Sequence, residues 1–127
     1  DEETINKAVD LLVGADRVYC FGHGGSMVMA MEAWARFSTA SSRFVQVTDS
    51  HMQIMTTALA TSRDVLLVFS YSGSTKDMED TLQIAHENNV PVILITHFPN
   101  SKAAQFADVV LLCGYLVPSL QRLDSCF

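Results

Sequence analysis

Apolar residues recur along the chain at the spacing of amphipathic helices. In the first segment Ile5, Ala8, Val9 and Leu12 occupy the i, i+3, i+4 and i+7 positions of one helix face, and Gly14 follows as a stop signal. The same spacing recurs in three later segments that are separated by shorter apolar runs. These segments begin after Ser26, at residues 52–59 and at residues 75–88. The pattern therefore predicts four helices.

Short runs of aliphatic, β-branched and aromatic residues lie between these helices. They occupy residues 18–21, 44–47, 64–69, 92–95 and 109–112. Continuous apolar runs that alternate with helices are typical of a parallel sheet buried on both faces. The sequence therefore predicts an α/β fold, a three-layer αβα sandwich with a five-stranded parallel sheet in the flavodoxin-like order 2-1-3-4-5. No repeat or linker interrupts the pattern, so we expect a single domain over residues 1–127.

The composition agrees with one well-buried domain and limits its partners. Of the 127 residues 49% are apolar, and 14 acidic against 8 basic residues give a formal charge of −6. That sign is wrong for neutralising the phosphates of a nucleic acid, so these residues are not expected to contact DNA. No apolar stretch reaches the length of about 18 residues that spans a bilayer, and the acidic start is unlike a signal peptide. We therefore expect a cytoplasmic protein with no membrane contact.

The sequence contains no signature of a metal or cofactor site. Cys20, Cys113 and Cys126 show no CxxC spacing, so neither a zinc site nor a disulfide framework is expected. Met27 stands where the third glycine of a dinucleotide-binding fingerprint belongs, and no GxxxxGK[ST] sequence is present. Neither a metal nor a cofactor such as NAD or ATP is predicted.

Two loops at the carboxyl ends of predicted strands contain the candidate chemistry. Ligands of open parallel sheets bind where the strand order reverses, here between the first and third strands. The loops that leave these strands are residues 22–26, with the sequence GHGGS, and residues 70–75, with the sequence SYSGST. Each leads into a helix N-terminus, which attracts anions, and the second loop adds four hydroxyl groups without a carboxylate. This predicts a phosphate site, with simple helix capping by Ser74 or Thr75 as the alternative.

The order of these loops resembles the SIS (sugar isomerase) domain. The similarity covers residues 18–112 and consists of Gly-x-Gly-x-Ser after strand one, Ser-x-Ser-Gly-x-Thr after strand three, Ile-Thr after strand four and Ala-Asp before strand five. In SIS domains the loop after strand three holds the phosphate of a phosphosugar. The resemblance therefore implies a set of phosphosugar-binding residues in this chain. They are Ser26, Ser70, Ser72 and Thr75, together with Gly25, Gly73 and Ser74.

Residues 48–53, with the sequence TDSHMQ, followed by Ala58, Leu59 and Asp64, are most similar to the effector domain of RpiR-type bacterial transcriptional regulators. Those proteins join an N-terminal helix-turn-helix domain to a C-terminal SIS domain that senses a sugar phosphate. The resemblance implies that this chain is the sensing part of a longer regulator, which would contact DNA only through a domain upstream of Asp1. It also implies a homodimer or a higher homo-oligomer.

The alternative function is an aldose–ketose isomerase that acts on a phosphosugar. Such a reaction needs a general base, and His51 matches a histidine that arabinose-phosphate isomerases, an enzymatic branch of the superfamily, carry at the start of this helix. Those enzymes have a glutamate three residues earlier, where this chain has Thr48, and Asp49 is shorter and shifted in register. We therefore expect a sensor in which His51 binds a ligand hydroxyl, in its own pocket or in that of a neighbouring subunit. A dimerisation module with a vestigial pocket is the third hypothesis.

The other three histidines differ in their expected relation to the ligand. His23 lies in the first ligand loop and His97 follows the fourth strand, so both are expected at the ligand end of the sheet, where each could contact substrate or only solvent and backbone. His86 falls among the polar positions of the last predicted helix, so we expect it on the surface.

Two apolar segments leave alternatives open. Met27, Met31 and Trp34 share one helix face, which is expected to pack on the sheet, with a dimer surface as the alternative. Residues 114–127 carry three leucines at roughly helical spacing, which predicts either a short last helix or the start of a longer one.

Overall fold

The computed structural model describes residues 2–73 and 75–112 and consists of helices and strands in alternation. The order is α1 (Glu2–Gly14), β1 (Val18–Gly22), α2 (Ser26–Ser38), β2 (Phe44–Val47), α3 (Ser50–Leu59), β3 (Val65–Phe69), α4 (Lys76–Glu87), β4 (Val92–Thr96), a 3₁₀ turn (Ala103–Phe106) and β5 (Val109–Leu112). The predicted final helix, Ser74, Cys113 and Cys126 lie outside the described residues.

The five strands form one parallel sheet in the order β2-β1-β3-β4-β5. Val18 of β1 is in register with Phe44 of β2 and with Val65 of β3, so β1 has a neighbour on each side. The chain moves outward from β1 to β2 and then returns to the other side of β1 for β3. The predicted fold class and strand order are confirmed, and the strand order reverses between β1 and β3.

Two hydrophobic cores cover the two faces of the sheet. Leu12 of α1 and Phe37 of α2 pack on one face, and Met78 and Leu82 of α4 pack on the other. Every residue of β3 and β4 is buried, as expected for central parallel strands. Cys20 belongs to the first core as a free thiol, and burial raises the pKa of that thiol to about 12. It therefore packs as a small apolar side chain.

Helix α2 approaches the sheet with a different face from the one predicted. Its buried residues are mostly small, namely Ser26, Ala30, Ala33 and Phe37. Met31 is 43% exposed, so the prediction that it packs on the sheet is wrong. The small side chains allow the helix backbone to approach the sheet closely, whereas the longer side chain of Met31 remains exposed.

Trp34 has an intermediate position on the same helix. Its ring packs against the first core, and its indole N–H donates to the carbonyl oxygen of Phe44 at 3.1 Å. The indole therefore ties α2 to the start of β2, which satisfies its polar atom while the ring stays against the core. Within the described residues no helix is long and apolar enough to cross a membrane.

Candidate functional site

A cavity of about 440 Å³ lies at the carboxyl ends of β1 and β3, where the strand order reverses. Its walls come from the two loops that the sequence singles out, with Met29 of α2 as an apolar wall. Five of the predicted site residues line it, namely Gly25, Ser26, Ser70, Ser72 and Thr75. The structure therefore brings both loops together around one space.

Two serines join the loops to each other and stabilise their shape. The Ser26 hydroxyl oxygen accepts a hydrogen bond from the backbone N–H of Tyr71 at 3.1 Å, which connects the first loop to the second. The Ser70 hydroxyl oxygen accepts from the N–H of Gly73 at 3.0 Å, within the second loop. Both side chains are nearly buried, with exposures of 7% and 3%. Because each oxygen acts as an acceptor here, each hydroxyl proton remains available to donate to a ligand.

Gly73 allows the second loop to turn sharply beside the cavity. Its φ of +64° lies in the left-handed region, and a Cβ at this position would meet the side chain of Ser101. The carbonyl oxygen of Gly73 accepts from the N–H of Ala103 at 3.2 Å, and the Thr96 hydroxyl donates to the carbonyl oxygen of Tyr71 at 3.1 Å. The end of β4 and the 3₁₀ turn thus hold the loop after β3 in place through these two hydrogen bonds.

The N-termini of α2 and α4 differ in what they present to the cavity. At α2 the first backbone N–H groups are already used, since Ser26 N–H donates to His23 O and Met27 N–H donates to Gly24 O, both at 3.1 Å. At α4, Thr75 occupies the N-cap position with an extended backbone, but its side chain makes no capping hydrogen bond. The exposed Thr75 hydroxyl is therefore free of the capping role that the sequence offered as an alternative.

The electrostatic character of the cavity suits an anion. None of the described lining residues carries a carboxylate, so no fixed negative charge opposes one. His23 is half-buried at the wall, and burial lowers the pKa of its ring, while the Gln53 side chain and the Asp77 carboxylate act in the opposite direction. A bound anion would further favour the protonated ring.

Tyr71 is a lining residue that motif spacing did not identify. It sits between two predicted phosphate ligands, is 59% exposed, and stacks on His97 with ring centroids 4.8 Å apart. Phe98 contacts the same tyrosine ring edge-on at 5.8 Å. His97 therefore lies beside the cavity and packs against Tyr71. The only sequence signal for this cluster was its place after β3 and β4 at the ligand end of the sheet.

His51 and Asp49 lie away from the cavity wall. His51 is exposed at the second position of α3 and is not among the residues that line the cavity. Asp49 is the N-cap of α3, and its carboxylate accepts from the N–H of Met52 at 3.2 Å. A carboxylate held as a helix cap is poorly placed to serve as a general base.

His86 is exposed on α4, as predicted, where its ring contacts Phe106. In the part of the chain that the structure describes, no cluster of three or more histidine, cysteine, aspartate or glutamate side chains could hold a metal ion.

Comparison with known proteins identifies relatives of the chain. Residues 11–116 match the model of the SIS domain. The chain is 34% identical over 96 residues to the HTH-type transcriptional regulator HexR of Escherichia coli, an alignment that covers 76% of this chain and 33% of that protein. It spans between a third and a half of the length of the curated regulators to which it is similar.

Two solved structures share the fold over nearly the whole chain. The Vibrio vulnificus NanR protein, complexed with ManNAc-6P, superposes with a TM-score of 0.88 at 20% identity, covering 99% of this chain and 52% of that one. The sugar isomerase domain of an RpiR transcription factor from Sphaerobacter thermophilus superposes with a TM-score of 0.87 at 24% identity, covering 98% and 76%. The expected resemblance to the RpiR type is confirmed.

Proposed function

Because the chain belongs to the SIS domain family, we propose that its cavity binds a phosphosugar and that the domain is the sensor of a bacterial transcriptional regulator. The observation that carries this proposal is the cavity between β1 and β3, which two hydroxyl-bearing loops line without a carboxylate. Helix N-termini, small loop residues and hydroxyl donors are the groups that bind phosphate in proteins.

The predicted ligands divide into two kinds. Ser26 and Ser70 are buried and hold the loops while their hydroxyl protons donate to the phosphate. Ser72 and Thr75 line the cavity closer to solvent. Thr75 is also the N-cap of α4, so the N-terminus of that helix lies beside the cavity. Gly25 and Gly73 allow the backbone to approach the ligand, and Ser74 is proposed as a further hydroxyl donor. The phosphate would thus be held by neutral donors and a helix dipole, in a site that becomes more cationic when His23 is protonated.

The regulatory role rests on the relatives and on charge. The relatives named HTH-type regulators are longer than this chain, so we propose that DNA contact belongs to another part of the protein. The formal charge of −6 on these 127 residues supports that division, because nucleic-acid surfaces repel an acidic domain. Phosphosugar binding would then modulate DNA binding by favouring one of two domain arrangements.

The phosphate site is tested by comparing matched hydroxyl deletions. Thr75→Ala and Ser72→Ala should weaken binding of a responsive hexose or pentose phosphate in calorimetric titration by roughly tenfold or more, since a hydrogen bond to a charged group contributes about 1.5–3 kcal/mol. Ser62→Ala, at an exposed serine before β3 and so at the opposite end of the sheet, is the control and should bind as the parent does. Equal affinity in all three variants, or no response to any phosphosugar, would contradict the site.

The isomerase alternative has weaker support. An isomerase needs a base within hydrogen-bond reach of the substrate and usually an acid beside it. His51 and Asp49 lie outside the cavity wall of their own chain, and His23 lines the cavity without a carboxylate among the other described lining residues. The regulators among the relatives also favour a binding role. Conversion of an aldose phosphate to its ketose by the purified protein, abolished by His51→Ala, would establish the enzyme instead.

A homodimer is proposed as the form in which His51 meets a ligand. His51 immediately precedes a row of exposed apolar side chains on α3. The row is formed by Met52, Met55 and Leu59 at i, i+3 and i+7 spacing, with exposures of 48%, 48% and 82%. Such a row is typical of a helix that packs against another subunit. A second copy seated on this row would place the two His51 side chains at the interface.

Mixed dimers test whether His51 serves the pocket of the other subunit. Ser72→Ala and His51→Ala homodimers should both bind phosphosugar weakly. If His51 acts across the interface, a dimer of one Ser72→Ala and one His51→Ala chain contains one doubly altered pocket and one intact pocket, so half of the sites regain the parent affinity. If His51 acts within its own chain, or if the protein is a monomer in sedimentation, no site recovers.

A further inference from the structure

Gln53 of α3 is fully buried beneath the ligand end of the sheet. Its side-chain amide nitrogen donates to the carbonyl oxygen of Val47 at 2.8 Å and to that of Gly22 at 3.3 Å, the last residues of β2 and β1. Both amide protons are therefore used. Exchanging the positions of nitrogen and oxygen would set the amide oxygen against two carbonyl oxygens, so the orientation of the amide is determined.

The amide oxygen of Gln53 and a ring nitrogen of His23 are two unpaired polar atoms near the end of β1, since the Gln53 amide nitrogen binds the carbonyl oxygen of Gly22, the residue before His23. Oε1 of Gln53 and Nε2 of His23 are both buried, and neither has a hydrogen-bond partner within the described residues, so each would gain from pairing with the other. The Gln53 side chain nevertheless favours the protonated form of the His23 ring, which raises its pKa against the effect of burial. An acceptor fixed beside a ring nitrogen favours the tautomer that keeps a proton on that nitrogen.

We propose that Gln53 is the positioning residue of His23. Its oxygen, oriented by the carbonyl groups of Gly22 and Val47, keeps the His23 proton on Nε2 and leaves Nδ1 as the nitrogen that meets a ligand in the cavity. His23 lines that cavity and directly follows Gly22. The Gln53 side-chain amide therefore binds the last carbonyl group of β1 and also orients the first side chain of the loop. The identity of the ligand rests on the proposed phosphosugar function, whereas the tautomer of His23 does not.

The arrangement gives His23 two states with different uses. With Nε2 protonated, the neutral ring offers a lone pair at Nδ1, which can accept from a sugar hydroxyl. Protonation of Nδ1 makes a donor with a positive charge, which suits a phosphate oxygen. The charged group that faces the ring is Asp77 from the first turn of α4, which favours the protonated state, and burial opposes that state. A phosphate in the cavity would therefore bind with uptake of a proton.

Nitrogen and carbon NMR of histidine-labelled full-length protein tests the proposal without a ligand. The His23 signals are assigned by their loss in His23→Asn, and the parent protein should show the Nε2–H tautomer. Gln53→Met removes the acceptor and should lower the pKa of His23, whereas Gln53→Glu adds a carboxylate and should raise it. Gln46→Met, at a partly buried glutamine of β2, is the control and should leave the pKa of His23 unchanged.

The outcomes separate positioning from a purely structural role. If Gln53 only joins β1 to β2, Gln53→Met melts at lower temperature while the tautomer and pKa of His23 do not change. An Nδ1–H tautomer in the parent protein would overturn the proposal even if neither Gln53 variant folds. Titration with inorganic phosphate at 50 mM should raise the pKa of His23; if that shift is absent while the tautomer result holds, the anion site fails and the role of Gln53 stands.

Discussion

The hydroxyl groups around the cavity differ in what they do before any ligand arrives. The oxygen of Ser26 already accepts from the N–H of Tyr71, a residue 45 positions away in the chain, whereas the side chain of Thr75 has no capping bond. Motif spacing identifies both as hydroxyl donors but cannot distinguish them, because the link between the loops exists only after the sheet has formed. Stability measurements can separate the two roles.

Ser26→Ala should destabilise the ligand-free protein, and Thr75→Ala should not. Loss of the Ser26 oxygen leaves the partly buried N–H of Tyr71 without its acceptor, which costs about 1–3 kcal/mol. Thr75 is exposed, so its truncation should change the free energy of unfolding by less than about 0.5 kcal/mol. Urea unfolding of the two variants checks this. A larger loss for Thr75→Ala than for Ser26→Ala would mean that the roles are reversed.

His23 should make the stability of the ligand-free protein depend on pH. Burial is the main cause that lowers the pKa of His23 below its ordinary value of 6.5. Between the two pKa values the unfolded chain binds more protons than the folded one, so the free energy of unfolding rises with pH in the window just below 6.5 and falls as the solution is acidified. His23→Asn should flatten that slope in urea unfolding at several pH values.

The control for this pH dependence is His86→Asn, at an exposed histidine of α4. It should retain the slope of the parent protein. If the slope remains in His23→Asn and disappears in His86→Asn, the pH dependence of stability does not come from His23.

The positions of the helices and strands along the chain follow from the hydrophobic periodicity. The face that a helix buries cannot always be predicted from that periodicity. The predicted strands agree with β1 to β5 within one residue, because continuous apolar runs bounded by loops leave little freedom. Helix α2 was predicted to pack Met27, Met31 and Trp34 on the sheet. Trp34 does pack against the core, but Met31 is exposed, and the fully buried residues include Ala30 and Ala33. Small residues do not stand out in a hydrophobic pattern, yet they decide how closely a helix can approach a sheet.

Helix α3 begins two residues earlier than the pattern predicts because Asp49 caps it. Asp49→Ala should lower the free energy of unfolding by about 1 kcal/mol, the usual effect of losing an N-cap side chain, and should leave phosphosugar affinity unchanged. Asp49→Ser, which preserves a capping oxygen, should retain most of the stability. Calorimetric binding and urea unfolding of both variants test this. Loss of binding in Asp49→Ala at unchanged stability would instead favour a ligand-directed carboxylate and reopen the enzyme hypothesis.

For the whole molecule, the sequence determines the fold more completely than the site. Alternating strands and helices allow few arrangements of a parallel sheet, and the connections place the β1 and β3 loops together. The sequence could therefore predict the position of the cavity. It could not predict the support beneath the site, in which Gln53 and Thr96 join loops and strands through contacts between distant segments. Those contacts have no periodic signal.

The two cores should unfold together because one sheet forms the inner wall of both. Trp34, the single tryptophan of the 127 residues, packs against the core shared by α1 and α2, whereas Leu82 is buried under α4 on the opposite face. Leu82→Ala should cost about 2–5 kcal/mol. That loss should shift the urea midpoint seen by Trp34 fluorescence as much as the midpoint seen by far-UV circular dichroism. Leu12→Ala, on the tryptophan's own face, is the matched control. A fluorescence transition that moves in Leu12→Ala but stays in place in Leu82→Ala would show that the layers unfold separately, and a ligand at the sheet edge could then stabilise one face without the other.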